Sequence, residues 1–340
     1  MKRLLPITEP IIKAYPDYVY PLSVLMNHSK TKDWLYCNFL QLYFLPEDFT
    51  SSLRYYYTDI NNRLWNVRNP LLNYQVIHKE MIDRYKIDSI DFIIDSLDNG
   101  YYLYLYLDEY YIPNRISYKR RHYIHTTFFY GYDTKEKKLY SYGYDDTRHF
   151  VYEELDFDLV RQAYKGCEKA EFEDLDMIYL FQYNDQGAPY EFDIRSVIRQ
   201  IKEFLNSTRS SDHYDNCFNE RENMFFGMEA LRAFREYFIQ ADGEQIFHCN
   251  KNIYLLWEYV LLMNKRVEYL IHHGYLESDS TCIEHFITLE GKYKSLISTY
   301  IKYIEVRSEK LQERILMNYD DNMEILQQAM KVLLDRLELL

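Results

Sequence analysis

The sequence predicts an α+β domain with a central antiparallel sheet over residues 1–190, followed by an all-α helical bundle domain over residues 191–340. Three observations lead to this prediction. A strand pattern of period two runs through residues 102–144, apolar residues recur at helical spacing in the second half, and 340 residues suffice for two separate cores.

The central sheet is predicted from an alternation of leucine and tyrosine. Leu103, Leu105 and Leu107 alternate with tyrosines, which places an aliphatic and an aromatic face on opposite sides of one strand. Residues 123–132 and 139–144 have the pattern of the next two strands, joined by a turn at Gly131-Tyr132-Asp133. We therefore expect three adjacent antiparallel strands, with His125 on one strand and carboxylates at the end of its neighbour.

The remaining elements are predicted from the positions of prolines and from the spacing of apolar residues. A helix is predicted to begin at Pro21, since proline often occupies the first helical position. Residues 33–44 suit either a buried helix or a strand, and periodicity does not separate the two. Residues 71–85 predict a strand and residues 90–97 a helix. Residues 157–164 predict a helix, and residues 177–183 a strand. From residue 194 onward the pattern is helical, with no strand-like alternation.

Charge and hydropathy exclude several classes of protein. A net charge of −13 argues against a nucleic-acid partner. The one basic cluster, residues 119–122, favours a solvated loop between two strands. No apolar run is long enough to cross a membrane, and residues 1–10 lack the core of a signal peptide. We expect a cytoplasmic protein that binds neither nucleic acid nor membrane.

No cofactor is predicted. The five cysteines are scattered, without a Cys-x-x-Cys pair, and are expected to be free thiols. The neighbouring residues His272 and His273 would point about 100° apart on a helix, which disfavours a shared metal ion. No nucleotide-binding loop is present, so we expect no ATP or NAD dependence. The apolar helical stripes indicate a bundle core, or in part a homodimer contact through the helical domain.

Four features resemble, in chain order, the amino-terminal domain of the butirosin biosynthesis protein H family: Asp108, His125, the Gly131-Tyr132-Asp133 turn, and Asp145 or Asp146. The resemblance covers roughly residues 10–185, and the segment that begins Phe226-Gly227-Met228 is similar to the helical domain that follows in those proteins. It implies a papain-like, C39-peptidase-like fold. It also implies a chemistry of bacterial secondary metabolism, including antibiotic and nonribosomal peptide synthesis, in which an acyl group moves from a carrier-protein thioester to an amine.

In such families a cysteine at the start of the first helix attacks the thioester, a histidine takes its proton, and an acid orients the histidine. Residues 18–23 match that helix start, but Tyr20 stands at the cysteine position. The favoured interpretation is a catalytically degenerate homologue that binds an acyl carrier protein or a small metabolite. In a second interpretation Cys37 or Ser23 supplies the nucleophile of an amide-forming acyltransferase. In a third interpretation, the chain is a two-domain interaction protein, and the polar residues of the hairpin are incidental to its function.

The candidate catalytic residues are His125, Asp145 and Cys37, and the candidate substrate-pocket residues are Tyr20, Ser23, Asp108 and Tyr123. Each has a structural alternative. His125 could be a hydrogen-bonded core histidine, Cys37 a small core residue, and Asp145 a turn cap. Strand alternation puts residues 141, 143 and 145 on one side, which favours Asp145 over Asp146 as the partner of His125.

Overall fold

The computed structural model describes residues 1–46, 52–56, 69–147, 149–167, 176–186, 190–210, 224–277 and 282–339. Its contacts divide the chain into two compact units that are not contiguous in sequence. Unit 1 comprises Met1–Pro10, Pro16–Ser29 and Asn69–Ala188, and unit 2 comprises Ile11–Tyr15, Lys30–Arg68 and Pro189–Leu340. The predicted domains, 1–190 and 191–340, differ from these units because Ile11–Tyr15 and Lys30–Arg68 pack with the second half of the chain.

Among the described elements, strands are interspersed with short helices in the first part of the chain, and long helices follow at the end. In chain order they are β1 (Lys2–Leu4), α1 (Pro16–Leu25), α2 (Thr31–Cys37), β2 (Gln41–Leu45), β3 (Ser52–Tyr56), β4 (Leu72–His78), α3 (Lys79–Arg84), α4 (Ser89–Asp98), β5 (Tyr102–Asp108), β6 (Ile124–Asp133), β7 (Lys138–Tyr144), β8 (Phe150–Asp156), α5 (Phe157–Gly166), β9 (Met177–Tyr183), α6 (Ile194–Asn206), β10 (Phe225–Phe226), α7 (Gly227–Gln240), α8 (Gly243–His272), α9 (Cys282–Val306) and α10 (Glu309–Leu337).

Unit 1 is built on a seven-stranded antiparallel sheet. The strand order is β4-β9-β5-β6-β7-β8, and β1 pairs with β6 outside this path. In the register of β5 and β6, Leu103 lies opposite Phe129 and Leu107 opposite His125. The predicted set of three adjacent antiparallel strands is confirmed, as is the antiparallel character of the central sheet.

The two faces of β5 are covered by different layers. Its leucines lie in an aliphatic cluster with Ile93 of α4 and Val160 of α5. On the other face Tyr104 stacks on Tyr179 at 4.4 Å, and Phe128 of β6 stacks on Tyr20 of α1 at 5.0 Å. Helices therefore pack on the leucine face, while α1 packs on the aromatic face.

Two helix predictions need correction in their bounds. α1 begins at Pro16, so the first-position proline is Pro16, and Pro21 lies buried inside the helix. Residues 33–44 hold both a helix and a strand, because α2 ends at Cys37 and β2 begins at Gln41. Phe39, in the connection, has a left-handed φ of 57°. This segment is therefore neither a single helix nor a single strand.

Unit 2 combines the helices α6–α10 with a small sheet of order β10-β2-β3. The prediction of an all-α second half is therefore incomplete, since it omits β10. This strand is two residues long and too short to show a period in the sequence. Gly227 follows β10 with a φ of +53°, and a Cβ there would lie 2.1 Å from the carbonyl oxygen of Phe204. Only glycine fits this close approach at the start of α7.

A fully buried arginine stabilises the connection between α2 and β2. The Arg266 guanidinium donates hydrogen bonds to the carbonyl oxygens of Tyr36 at 3.0 Å, Asn38 at 2.6 Å and Phe39 at 3.4 Å. These carbonyls lie at the end of a helix, where the backbone acceptors lack intrahelical donors. Arg266 therefore satisfies them and offsets the cost of the left-handed Phe39.

We predict that Arg266→Met lowers the free energy of unfolding of unit 2 by about 3–5 kcal/mol, because three buried carbonyls lose a charged donor. Urea unfolding followed by tryptophan fluorescence measures this, since Trp34 and Trp257 belong to unit 2. The control is Arg232→Met, which removes an exposed pair with Glu229 and should cost under about 1 kcal/mol. A loss at Arg266 no larger than at Arg232 would contradict this role.

A buried carboxylate holds the segment Ile11–Tyr15 on α8. The two oxygens of Glu258 accept the backbone N–H groups of Lys13 at 2.8 Å and Ala14 at 2.9 Å. Burial raises the pKa of Glu258 to about 8, although the two N–H groups oppose the shift. The folded state therefore holds a proton on this side chain at pH values where the unfolded chain has lost it.

Because the folded pKa lies above the ordinary value of 4.5, the stabilising contribution of Glu258 is complete below about pH 4.5 and is lost as the pH rises to about 8. We predict a fall of roughly 2–4 kcal/mol in the stability of unit 2 over that range. Glu258→Gln, which does not titrate, should flatten the profile. Urea unfolding at several pH values, followed by tryptophan fluorescence, measures both; identical pH slopes for the two proteins would exclude the contribution of Glu258.

Candidate functional site

The candidate site lies in unit 1, where β5 ends and the chain returns to begin β6. Asp108 is the last residue of β5, and Glu109 begins a short 3₁₀ helix, Glu109–Tyr111. The backbone N–H of Glu109 bonds to the carbonyl oxygen of Tyr123 at 2.9 Å, which closes the loop beside the start of β6. Two successive acids thereby lie next to two histidines, His122 and His125.

His125 is paired with Glu109. The Nδ1 atom of His125 lies 3.2 Å from Oε1 of Glu109, and the side chains are 32% and 9% exposed, respectively. The ring of Tyr123 stacks on the imidazole at 5.7 Å. A carboxylate at this distance from a ring nitrogen forms an ion pair when the imidazole carries a proton. His125 is therefore a partly accessible imidazole beside a buried carboxylate.

The buried guanidinium of Arg115 lies close to both Glu109 and Glu153. Nη2 of Arg115 lies 2.5 Å from Oε2 of Glu153, its Nη1 donates to the carbonyl of Tyr144, and its Nε lies 3.9 Å from Glu109. Burial raises the pKa of Glu153, and the Arg115 charge opposes this shift. A Cβ at Gly143 would lie 3.1 Å from Nη2 of Arg115, so glycine leaves room for the arginine.

Asp108 forms a second carboxylate–histidine pair. Its Oδ2 atom lies 2.6 Å from Nδ1 of His122, and its Oδ1 atom accepts the N–H groups of Tyr110 and Tyr123. Asp108 is fully buried, while the His122 side chain is 66% exposed and stacks on Tyr110. The predicted pocket residues Asp108 and Tyr123 thus lie in the site, but Asp108 is paired with His122, not with His125.

Asp145 is held by its own turn. Its Oδ1 atom accepts the N–H groups of Thr147 and His149, both at 2.9 Å, and the hydroxyl of Thr147 at 2.7 Å. The structure pairs His125 with Glu109 instead of Asp145, and it gives Asp145 the turn-capping role. One signal could have found Glu109: it directly follows β5, and pairing of β5 with β6 brings that strand end beside His125.

Tyr20 and Ser23 have structural contacts within unit 1. The Tyr20 hydroxyl donates to the carbonyl oxygen of Thr126 at 3.3 Å, and burial raises its pKa to about 12. Its ring stacks on Phe128, which by strand alternation shares a face with Thr126 and not with His125. The Ser23 hydroxyl donates to the Tyr20 carbonyl oxygen at 2.7 Å. Tyr20 is therefore a buried ring on the aromatic face of the sheet.

Cys37 belongs to unit 2, whereas His125 belongs to unit 1. The sulfur of Cys37 accepts the N–H of Asp193 at 3.1 Å. Burial raises the pKa of each cysteine whose side chain the structure describes: Cys37, Cys167 and Cys249, the last to about 12. A thiol with a raised pKa supplies little thiolate at neutral pH.

Among the described residues, no group of three or more His, Cys, Asp or Glu side chains is placed to hold a metal ion. No helix within the described ranges is both long and apolar enough to cross a membrane.

Comparison with known proteins gives no assignment. No protein-family model matches the chain, and no curated protein matches it.

We predict that Arg115 and Glu153 act as a coupled pair. Arg115→Met should cost about 3–5 kcal/mol of stability, because it leaves the Glu153 carboxylate buried without its cation. Adding Glu153→Gln to Arg115→Met should restore at least about 1 kcal/mol of that loss. Calorimetric unfolding of the two single variants and the double variant measures the coupling. Strictly additive losses would show that the two side chains act independently.

Proposed function

We propose that this chain is a non-catalytic member of the papain-like, C39-peptidase-like fold, related to the butirosin biosynthesis H proteins, that binds an acyl carrier protein or a small acylated metabolite. The observation that carries the proposal is the residue at position 20, where the resemblance calls for a cysteine. A buried phenol with a pKa of about 12 does not form the thioester intermediate that acyl transfer requires. The setting would be bacterial secondary metabolism.

The partner chemistry follows from the loop beside His125. A carrier protein presents its acyl group on a phosphopantetheine arm, which contains a phosphate. The basic segment, residues 119–122, is exposed and adjoins both histidines. The Arg121 guanidinium lies over the Tyr123 ring at 5.3 Å from its centroid. In a protein of net charge −13, this segment is a local cationic surface that suits an anionic arm.

A second candidate is a cysteine-dependent acyltransferase that forms amide bonds. The pairing of His125 with Glu109 favours it, because a general base needs an acid to orient it. It also requires a thiolate beside that base. The raised pKa of Cys37 and its bond to the Asp193 backbone argue against Cys37 in that role.

Thiol reactivity separates the two candidates. We predict that the five cysteines react slowly and uniformly with iodoacetamide at pH 7, because the three whose side chains the structure describes have raised pKa values. The His125→Ala variant should label at the same rate, and His149→Ala, at an exposed histidine, is the matched control. Peptide mapping by mass spectrometry measures the rate at each cysteine.

The same preparation tests turnover. Incubation with an acylated carrier protein and an amine should yield no amide above the level without protein, as read by mass spectrometry. One fast cysteine whose labelling is lost in His125→Ala, or amide formation that depends on His125, would establish the acyltransferase instead.

A further inference from the structure

A lysine and a cysteine meet at one backbone carbonyl in unit 1, at a place that the proposed function does not use. Lys79 is the first residue of α3, and Cys167 directly follows α5. Nζ of Lys79 donates to the carbonyl oxygen of Tyr106 at 2.6 Å, and Sγ of Cys167 donates to the same oxygen at 3.3 Å. The two side chains therefore converge on one atom.

Both side chains are shielded from water. Lys79 is 3% exposed and Cys167 is 8% exposed. Buried lysines in proteins are normally paired with a carboxylate. Among the residues that the structure describes, the close neighbours of this amine are a carbonyl, the sulfur and the Tyr164 ring, whose centroid lies 5.0 Å away. The pair is thus an amine and a thiol in contact inside the protein.

The electrostatic surroundings favour the neutral amine. Burial lowers the pKa of Lys79, while Cys167 and the more distant Asp176 and Asp83 oppose the shift. Burial raises the pKa of Cys167, and Lys79 opposes that shift. A neutral amine has the lone pair that bond formation at nitrogen requires, and it can accept the proton of the adjacent thiol, which leaves the thiolate that reacts with peroxide.

We propose that Lys79 and Cys167 form a reversible N–O–S cross-link when the protein meets hydrogen peroxide. The site would be a redox modification that joins the start of α3 to the end of α5. It does not depend on the proposed function.

The reaction balances with two molecules of peroxide. The first transfers one oxygen atom to the Cys167 sulfur, giving a sulfenic acid and water. Formation of the N–O bond then removes the sulfenic hydrogen and one amine hydrogen, and the second peroxide accepts the two electrons and becomes two waters. In total, one amine, one thiol and two peroxides give one N–O–S link and three waters.

The cross-link would hold together parts of unit 1 that are distant in sequence. It closes a long loop of chain, which restricts the unfolded state and raises the melting temperature. Gly166, the residue before Cys167, also packs against Asp108, since a Cβ there would lie 2.7 Å from the Asp108 carboxylate. Oxidation would therefore restrain the end of α5, which packs against Asp108 at the end of β5.

The test treats the full-length protein with hydrogen peroxide and measures its intact mass. We expect a gain of one oxygen atom less two hydrogen atoms, reversed by a thiol reductant, and a linked peptide pair containing Lys79 and Cys167. The melting temperature should rise by roughly 5 °C or more on oxidation. Lys79→Arg, which keeps the charge, and Cys167→Ser should each abolish the link, and Cys249→Ser, at another buried cysteine, should leave it intact.

Other outcomes would overturn the proposal. The first is oxidation of Cys167 to a sulfenic or sulfinic acid without loss of the amine hydrogen, and the second is a link to a lysine other than Lys79. The third is that Lys79 and Cys167 stay unlinked at a peroxide concentration that oxidises methionines of the same protein. A linked product that persists in Lys79→Arg would likewise assign the chemistry elsewhere. Because the wild-type protein alone gives the mass and the linked peptides, the test does not depend on the folding of any variant.

Discussion

The burial of both faces of β5 is the constraint on which unit 1 depends. A strand with a period of two presents one set of side chains to each side, and here leucines meet α4 and α5 while tyrosines meet an aromatic layer under α1. Covering both faces fixes the register, because a shift by one residue would exchange the two sets. The acids at positions 108 and 109 are thereby fixed at the strand end.

The site depends on that register through a chain of contacts. Pairing of Leu107 with His125 brings the start of β6 beside the end of β5, where the Glu109 carboxylate lies 3.2 Å from the imidazole. Arg115 then shares its charge between Glu109 and Glu153, and Gly143 leaves the space for it. A partly accessible histidine beside a basic segment, in a protein whose described cysteines have raised pKa values, suits the proposed recognition of an anion better than attack on an acyl group.

The sequence predicted the elements with a clear period and missed contacts that arise between distant segments. The strands around Leu103–Leu107 and the strand Met177–Tyr183 follow from local pattern alone. Alternation along a single strand favours Asp145 as the acid beside His125, whereas the acid found there is Glu109, which directly follows the neighbouring strand β5. The packing of Lys30–Arg68 with the second half likewise has no local signal, since it depends on Arg266 and other residues far along the chain.

We propose that the basic segment beside His125 binds the anionic arm of an acyl carrier protein. Isothermal titration calorimetry with a phosphopantetheine-bearing carrier protein tests it directly, with Arg120→Glu/Arg121→Glu compared with Lys135→Glu/Lys137→Glu, which reverses two exposed charges at the β6–β7 turn. The account predicts saturable binding that weakens with added salt and falls about tenfold or more in the arginine variant only. Absent binding, or equal affinity in both variants, would contradict it.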